Sequence, residues 1–376
     1  MTGRQPDKIA PRERRRLAAA PPTARPGAAR LLRSILPANF EDVGGLFLRL
    51  LRSKDRAAYF AMAQTGIALV AAPLDRLLAH AERRLYARAA PPQKPILFIG
   101  GAPRSGTTIV DQILIRNLPV SYINNLTAVF PRAPVTANRI FGHLLRQPTG
   151  TLENFYGRTA GFANRNDGLH IWDRWLGSDR YHPPARLPDG VAEDMRRFFG
   201  AFEAVFGGPI LNKNNALAVC ADVVAAALPT ARFVCIRRQP IFALQSILTA
   251  REFIQGRRQA PYGIGDPEYA GRSDVDPIED VCAQLLYHDR RMAELQRELG
   301  ADRFWIIEYE EFCRAPYAVV ERVAEEMLHV PIDRGAVRAA APPLRYRNAI
   351  KLSPAERARA EAALERLGAR RERRDL

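Results

Sequence analysis

PILFIGGAPRSGTTIVD, residues 95–111, decides the fold of this 376-residue chain. Its apolar run, 96–99, reads as a strand buried on both faces. A glycine-rich turn follows, then a helix predicted over 107–118 with apolar residues at Val110, Ile113, Leu114 and Leu118. Such a turn aims backbone N–H groups and the positive end of a helix dipole at one point, which suits an anion. The spacing Gly101-x4-Gly106-Thr107-Thr108 is close to a P-loop, but Thr107 stands where the P-loop lysine belongs. The cation comes earlier, at Arg104 inside the loop. The reading therefore moves from ATP chemistry towards another phosphate-bearing donor.

Outward from this stretch the same alternation continues. Residues 209–211 predict a short strand delivering NKNN, 216–228 a small-residue helix, 232–236 a strand and 241–253 a helix. Residues 303–308 predict a last strand and 316–328 its helix. Apolar strands between helices imply an α/β fold, a P-loop-like parallel sheet flanked by helices. Residues 119–208 read as loops over the site. Residues 40–89 read as helical with a break near Pro73, and Pro91-Pro92 punctuates the chain before the first strand. The organisation expected is a disordered basic tail at 1–34, a helical extension at 35–91 and the α/β domain at 92–376.

The net charge of +16 is concentrated at the ends. Residues 1–34 hold nine Lys/Arg against two acids, and residues 345–376 ten against five. The body is close to balanced, so no nucleic-acid partner is expected. The basic arm reads first as a flexible, solvated tail, and second as a contact to anionic lipid or RNA. Four scattered cysteines without a C-x-x-C pair need neither disulfide nor metal, and Cys220 and Cys235 read as core thiols. No signal-peptide pattern is evident, so the expectation is cytoplasmic, at most peripheral at the inner membrane face. Residues 57–74 are uncharged for eighteen positions, but Gln64, Thr65, Gly66 and Pro73 interrupt them, and the segment reads as a packed helix, with surface membrane contact as the lesser alternative.

ARFVCIRRQPIFALQSIL, residues 231–248, repeats the strand, cationic turn and helix. Arg238 falls at a strand end, where ligands of open parallel sheets bind, and Ser246 lies about two helical turns further on. A guanidinium grips a phosphate through two bonds and the hydroxyl adds a third donor. Two anion sites on one sheet suit a nucleotide phosphorylated at both ends of its ribose.

PRSGTT after a strand, Arg238-x7-Ser246 after another and the later IEYE together resemble the sulfotransferases, over roughly residues 94–351. The RSGTT loop is similar to that of tyrosylprotein and bacterial members, whereas cytosolic members carry lysine there. The resemblance implies 3′-phosphoadenosine 5′-phosphosulfate (PAPS) as sulfuryl donor, used as a co-substrate without a metal. It implies that Arg104, Ser105, Gly106, Thr107 and Thr108 hold the 5′-phosphosulfate, and that Arg238 and Ser246 hold the 3′-phosphate. Lys213 in LNKNNAL would stabilise the transferring group, and Tyr309 would lie near the adenine. Arg251, displaced by one residue, and either Arg347 or Lys351 are further basic candidates. Fragments such as NNLTAVF, NDGLHIWDRWLG and NKNNAL resemble bacterial members whose acceptors are often glycans.

The chain departs from that pattern at Asn125, where the tyrosylprotein enzymes place a catalytic glutamate. The base expected for the acceptor hydroxyl therefore comes from residues 153–173: Asp167 first, His170 second, with Asp173 and Glu153 behind them. Asp173 could equally form a salt bridge with Arg174. Trp172, Trp175, Phe155 and Tyr156 could line a sugar surface or fill a core. Two other classes remain open on the sequence alone: a P-loop kinase or NTPase, and a non-catalytic nucleotide-binding protein. The first would want the P-loop lysine and an acidic Mg²⁺ ligand at a strand end.

Overall fold

Five strands form one parallel sheet: β1 (Ile96–Gly101), β2 (Ser121–Tyr122), β3 (Ile210–Lys213), β4 (Ala231–Arg237) and β5 (Phe304–Glu308), in the order β2-β3-β1-β4-β5. The computed structural model describes residues 42–145, 152, 154–272, 274–346 and 348–375. The expected tail at 1–34, Glu153 and Arg347 lie outside the described residues. Helices α1 (Val43–Arg52) and α2 (Arg56–Arg88) precede the sheet, and α3 (Thr107–Asn117) follows β1. Between β2 and β3 come α4 (Pro134–Phe141), α5 (Leu169–Leu176) and α6 (Asp189–Phe206). Helix α7 (Leu217–Ala227) joins β3 to β4, and α8 (Pro240–Ala250) and α9 (Pro277–Leu299) lie between β4 and β5. After β5 come α10 (Tyr309–Arg314), α11 (Pro316–Arg322), α12 (Arg334–Ala340) and α13 (Pro354–Asp375).

All six residues of β1 are buried, because both faces of the sheet are covered. Ile96 and Phe98 point into one cluster with Trp172, Phe199, Phe233 and helix α7. Leu97 and Ile99 point into the other, with Val110, Leu114, Val234 and Ile236. The period-two alternation of a strand thus serves two cores at once. Strand β1 pairs with both β3 and β4, in a register that sets Ile99 opposite Lys213 and Gly101 opposite Ile236. All parallel strands end at one edge, and β1, β3 and β4 bring their chemistry-bearing loops there side by side.

Several expectations are corrected. Residues 119–208 are not only loops, since they contain α4, α5 and the 18-residue α6. Met195, Phe198, Phe199 and Phe202 form the buried stripe of α6. Gly200 lets that helix approach the chain at Ala90, whose carbonyl oxygen would lie 1.9 Å from an added Cβ. Helix α2 runs unbroken through Pro73. A proline inside a helix costs about 3 kcal/mol, and side chains of α2 tie it to the body and offset that cost. Asp75 accepts the N–H groups of Arg132 and Ala133, both at 3.1 Å. Glu82 accepts those of Val135 (3.1 Å) and Thr136 (2.7 Å), and Gln64 donates to the carbonyl of Asn125 at 2.6 Å. These carboxylates satisfy the N–H groups that the start of α4 leaves without intrahelical partners. The helix predicted over 241–253 passes into a π turn at Arg251–Gln255, and that over 316–328 into another at Val323–Leu328. All four cysteines are free and buried.

Candidate active site

The loop after β1 is shaped by backbone positions that favour glycine. Gly101 (φ +146) and Gly106 (φ +101) lie in the left-handed half of the map, and Arg104 joins them at φ 67. A Cβ on Gly106 would meet the Tyr309 ring at 2.3 Å, so the tyrosine lies directly against the loop. Helix α3 starts with Gly106 as N-cap and no side-chain cap. The Ser105 hydroxyl is buried and has no partner among the described residues. Thr107, in the position of a P-loop lysine, is buried and donates to Asn215 Oδ1 at 3.2 Å. The loop therefore touches the NKNN segment after β3.

The second motif closes on the first. Arg238 Nη1 donates to the carbonyl of Arg104 at 3.1 Å, and Arg104 Nε donates to Ser246 Oγ at 3.0 Å. The guanidinium of Arg238 stands 4.8 Å over the Tyr309 ring, and its Nε is buried without a partner among the described residues. Burial pushes the Tyr309 phenol well above its ordinary range. Arg104, Ser105, Gly106, Thr107, Arg238, Ser246 and Tyr309 thus form one continuous patch. Thr108 borders it, its hydroxyl 3.3 Å from where a Cβ on Gly157 would stand.

Beside this patch runs a chain of alternating charges that sequence reasoning saw only in part. Lys213, at the end of β3, donates to Asp167 at 2.8 Å. Asp167 is also paired with Arg165, and Arg165 with Asp111 on α3. Arg165 donates a further bond to the carbonyl of Gly157 at 2.9 Å. Burial works against ionisation of Asp167, but Arg165 and Lys213 outweigh it and hold its carboxyl at about 2. Burial lowers the Lys213 ammonium, with Asp167 opposing, and raises the Asp111 carboxyl. His170 is lowered from 6.5 by burial, with Asp173 opposing and Arg158 adding to the shift, which favours its neutral form.

A tight hairpin borders the same space. Phe155 and Arg158 exchange backbone bonds of 2.8 and 2.9 Å, with Tyr156 (φ 50) and Gly157 (φ 85) at its tip. Positive φ at both tip residues is the type I′ geometry that fits strand twist. The Tyr156 ring stacks on Phe253 at 5.0 Å and lies under Arg104 at 5.2 Å. Tyr262, half-buried, senses the charges of Arg104, Asp167 and Arg158, and burial raises its phenol. Arg165, Asp111, Arg158 and Tyr262 were not singled out from the sequence. The Tyr156-Gly157 pair, a glycine-bearing turn between two short extended residues, was a readable signal for the hairpin.

Other expected residues lie elsewhere. Arg251 is buried against Asp280 (2.6 Å) and Gln284 (3.2 Å), so its guanidinium is committed inside the fold. Trp172 and Trp175 are core residues, 1% and 3% exposed, and not a sugar platform. Asn125 donates to the carbonyls of Thr159 and Gly161 and accepts from Asn166, all at 2.8 Å, so it fastens the 159–166 loop. Asp173 pairs with Arg180 at 2.7 Å and not with Arg174, which reaches Asp194 instead. Lys351 bonds through its backbone to Gln245, with an exposed side chain.

Residues 95–333 match the family described as "Sulfotransferase family". Among solved structures, the chain is similar to sulfotransferase STF1 from Mycobacterium tuberculosis H37Rv, with 14% identity and TM-score 0.49 over 91% of this chain and 98% of that one. It is also similar to sulfotransferase STF9 from Mycobacterium avium, with 17% identity and TM-score 0.47 over 83% and 86%. A sulfotransferase from Alicyclobacillus acidocaldarius has 18% identity and TM-score 0.38 over 73% and 96%. No curated protein matches the chain.

Proposed function

We propose, for a chain that belongs to the sulfotransferase family, transfer of a sulfuryl group from PAPS to an acceptor hydroxyl, with a carbohydrate as the acceptor. The chain is an enzyme of the sulfotransferase class. The observation that carries the PAPS reading is the contact of its two cationic motifs. Arg238 bonds the Arg104 carbonyl, Arg104 bonds Ser246, and Ser105 Oγ and Arg238 Nε are buried donors with no partner among the described residues. Buried donors of this kind are costly unless an acceptor satisfies them. A nucleotide with phosphate groups at both ends of its ribose supplies acceptors to both.

When bound, PAPS supplies an activated sulfuryl group and leaves as the bisphosphate nucleotide. Ser105, Gly106, Thr107 and Thr108 would hold its 5′ end, and Arg238 and Ser246 its 3′-phosphate, with Tyr309 beside them. Sulfuryl transfer resembles phosphoryl transfer, in which positioned charge does most of the catalysis. Arg104 and Lys213 provide that charge. Asp167 keeps the Lys213 ammonium protonated and aimed, and Arg165 in turn keeps Asp167 in place.

The proton of the acceptor goes to His170 in this reading. A carboxyl held at about 2 is a weak proton acceptor at neutral pH, whereas a neutral imidazole is well matched. This reverses the order expected from the sequence and makes Asp167 the positioning residue for Lys213. Tyr262, His170 and the exposed Arg158 border the side from which an acceptor would enter. An arginine there favours sugars that carry an acid group. The test is transfer of labelled sulfuryl from PAPS to neutral and uronic-acid polysaccharides. Transfer that depends on Arg104 and Lys213 supports the reading, and full activity in Arg104→Ala or Lys213→Ala contradicts it.

A further inference from the structure

Helix α2 carries its large side chains on the wrong side for a surface helix of a globular protein. The face towards the body is mostly small or hydrogen-bonded: Ala57, Ala61, Gln64, Ala68, Ala72, Asp75, Ala79 and Glu82. The opposite face shows Tyr59, Ile67, Val70, Leu74 and Leu77 to solvent, with Val70 83% and Leu77 67% exposed. Positions 67, 70, 74 and 77 are spaced three, four and three apart, which puts them in one line. From Tyr59 to Leu77 that line runs about 27 Å at 1.5 Å per residue. The adjoining α1 exposes Val43, Phe47, Leu48 and Leu51. These two helices hold nine of the thirteen large hydrophobic side chains exposed among the described residues, so the patch is a feature of this region and not scatter.

Charge decides what covers it. The acids of α2, Asp75 and Glu82, are buried and engaged with α4, whereas Arg56, Arg76, Arg83, Arg84 and Arg88 are exposed. By helical spacing, Arg56 begins the apolar line and Arg84 and Arg88 end it. A second copy laid on this face would bring arginines against arginines, with no exposed acid on the helix to pair with them. Residues 1–34, with nine basic against two acidic side chains, repeat the same sign. An apolar stripe ended by long cationic side chains fits the headgroup region of a bilayer, where arginine stems lie along apolar surface and their heads reach phosphate.

We propose that the outer face of α2, with the exposed residues of α1, docks the protein on a bilayer rich in anionic lipid. Helix α2 lies on that surface and does not cross it. Gln64, Asp75 and Glu82 pin its inner face to the body, and a spanning helix would have to break those bonds in hydrocarbon. This inference does not depend on the nature of the acceptor.

The experiment is flotation of the full chain with vesicles of phosphatidylcholine alone or of equimolar phosphatidylcholine and phosphatidylglycerol. Two variants accompany it, V70S/L77S and R84E/R88E, each checked for unchanged thermal unfolding. Wild type is expected to float with the anionic vesicles. V70S/L77S should partition roughly tenfold more weakly or worse, because both side chains leave the apolar layer. R84E/R88E should lose the preference for anionic lipid. Absence of flotation would overturn the proposal, as would flotation that V70S/L77S leaves unchanged, since the basic residues alone would then be responsible. A dimer in sedimentation velocity that V70S/L77S splits would assign the face to a second copy and overturn it equally.

Discussion

Asp167→Asn keeps the shape of the side chain and removes the negative charge that Arg165 and Lys213 share. The carboxyl sits at about 2 in the fold against an ordinary 3.8. At 1.36 kcal/mol per pKa unit, its ionised form is favoured by roughly 2–3 kcal/mol over the neutral form. The folded value is the depressed one, so this stabilisation is complete above pH 3.8 and is lost as pH falls towards 2. Asn forfeits it at neutral pH. Arg165 keeps Asp111 as partner, but the Lys213 ammonium, 5% exposed, is left facing a neutral amide. Leaving a buried charge uncompensated adds to the loss, so the expected destabilisation is roughly 2–4 kcal/mol. Urea unfolding at pH 7 measures it. Adding Lys213→Met to Asp167→Asn should recover part of the loss, because the stranded charge is then gone. In turnover, Asp167→Asn should lower kcat while the affinity for 3′-phosphoadenosine 5′-phosphate stays close to wild type. A loss below about 0.5 kcal/mol, or a double variant no more stable than the single, would refute the charge chain, since removing contacting partners of this kind carries larger, coupled effects.

Three further outcomes are expected. Gly106→Ala adds a Cβ 2.3 Å from the Tyr309 ring at a φ of +101, so binding of the bisphosphate nucleotide should weaken about tenfold or more. Calorimetry that shows wild-type affinity would contradict the loop geometry. His170 is lowered from 6.5 by burial, so the acid limb of wild-type kcat should have its midpoint below that of a free imidazole, and His170→Gln should lose both rate and that acid limb. An unchanged pH profile in His170→Gln would move the base elsewhere. His288 is fully buried and held at about 4, with a ring nitrogen 2.9 Å from the Ile264 carbonyl. The unfolded chain takes up that proton first, so acidification from pH 6.5 to 4 costs the fold roughly 3 kcal/mol through this residue. His288→Gln should be spared that share of the loss, and equal pH dependence in variant and wild type would count against it.

What was legible in the sequence was local. The strand, PRSGTT turn and helix lie within twenty-two consecutive residues, and the Arg238–Ser246 pair lies within one turn and one helix, so spacing alone reveals both. The charge chain was not legible, because Asp111 and Arg165 come from distant segments, and Arg165 sits in a loop that Asn125 holds through bonds to Thr159 and Asn166. Arg251 has the residue type of a phosphate ligand, and only the placement of Asp280 on α9 shows it committed to the core. Helix α9 itself went unread, for its buried face includes Gln284 and His288, which blur an apolar period. The tryptophans of α5 left both readings open, and the packing of Trp172 against Phe98 at 5.4 Å settles them as core. Pro73 predicted a break because its local cost is certain and the hydrogen bonds that offset it belong to residues fifty positions away.

The central claim is that the touching loops of Arg104 and Arg238 form a single seat for a nucleotide phosphorylated at both ends of its ribose. Calorimetric titration with 3′-phosphoadenosine 5′-phosphate, beside ADP and ATP with and without Mg²⁺, tests it most directly. Tight, metal-independent binding of the bisphosphate alone, weakened in Arg238→Ala, is the predicted result. Preference for Mg·ATP, or no nucleotide binding, would contradict it.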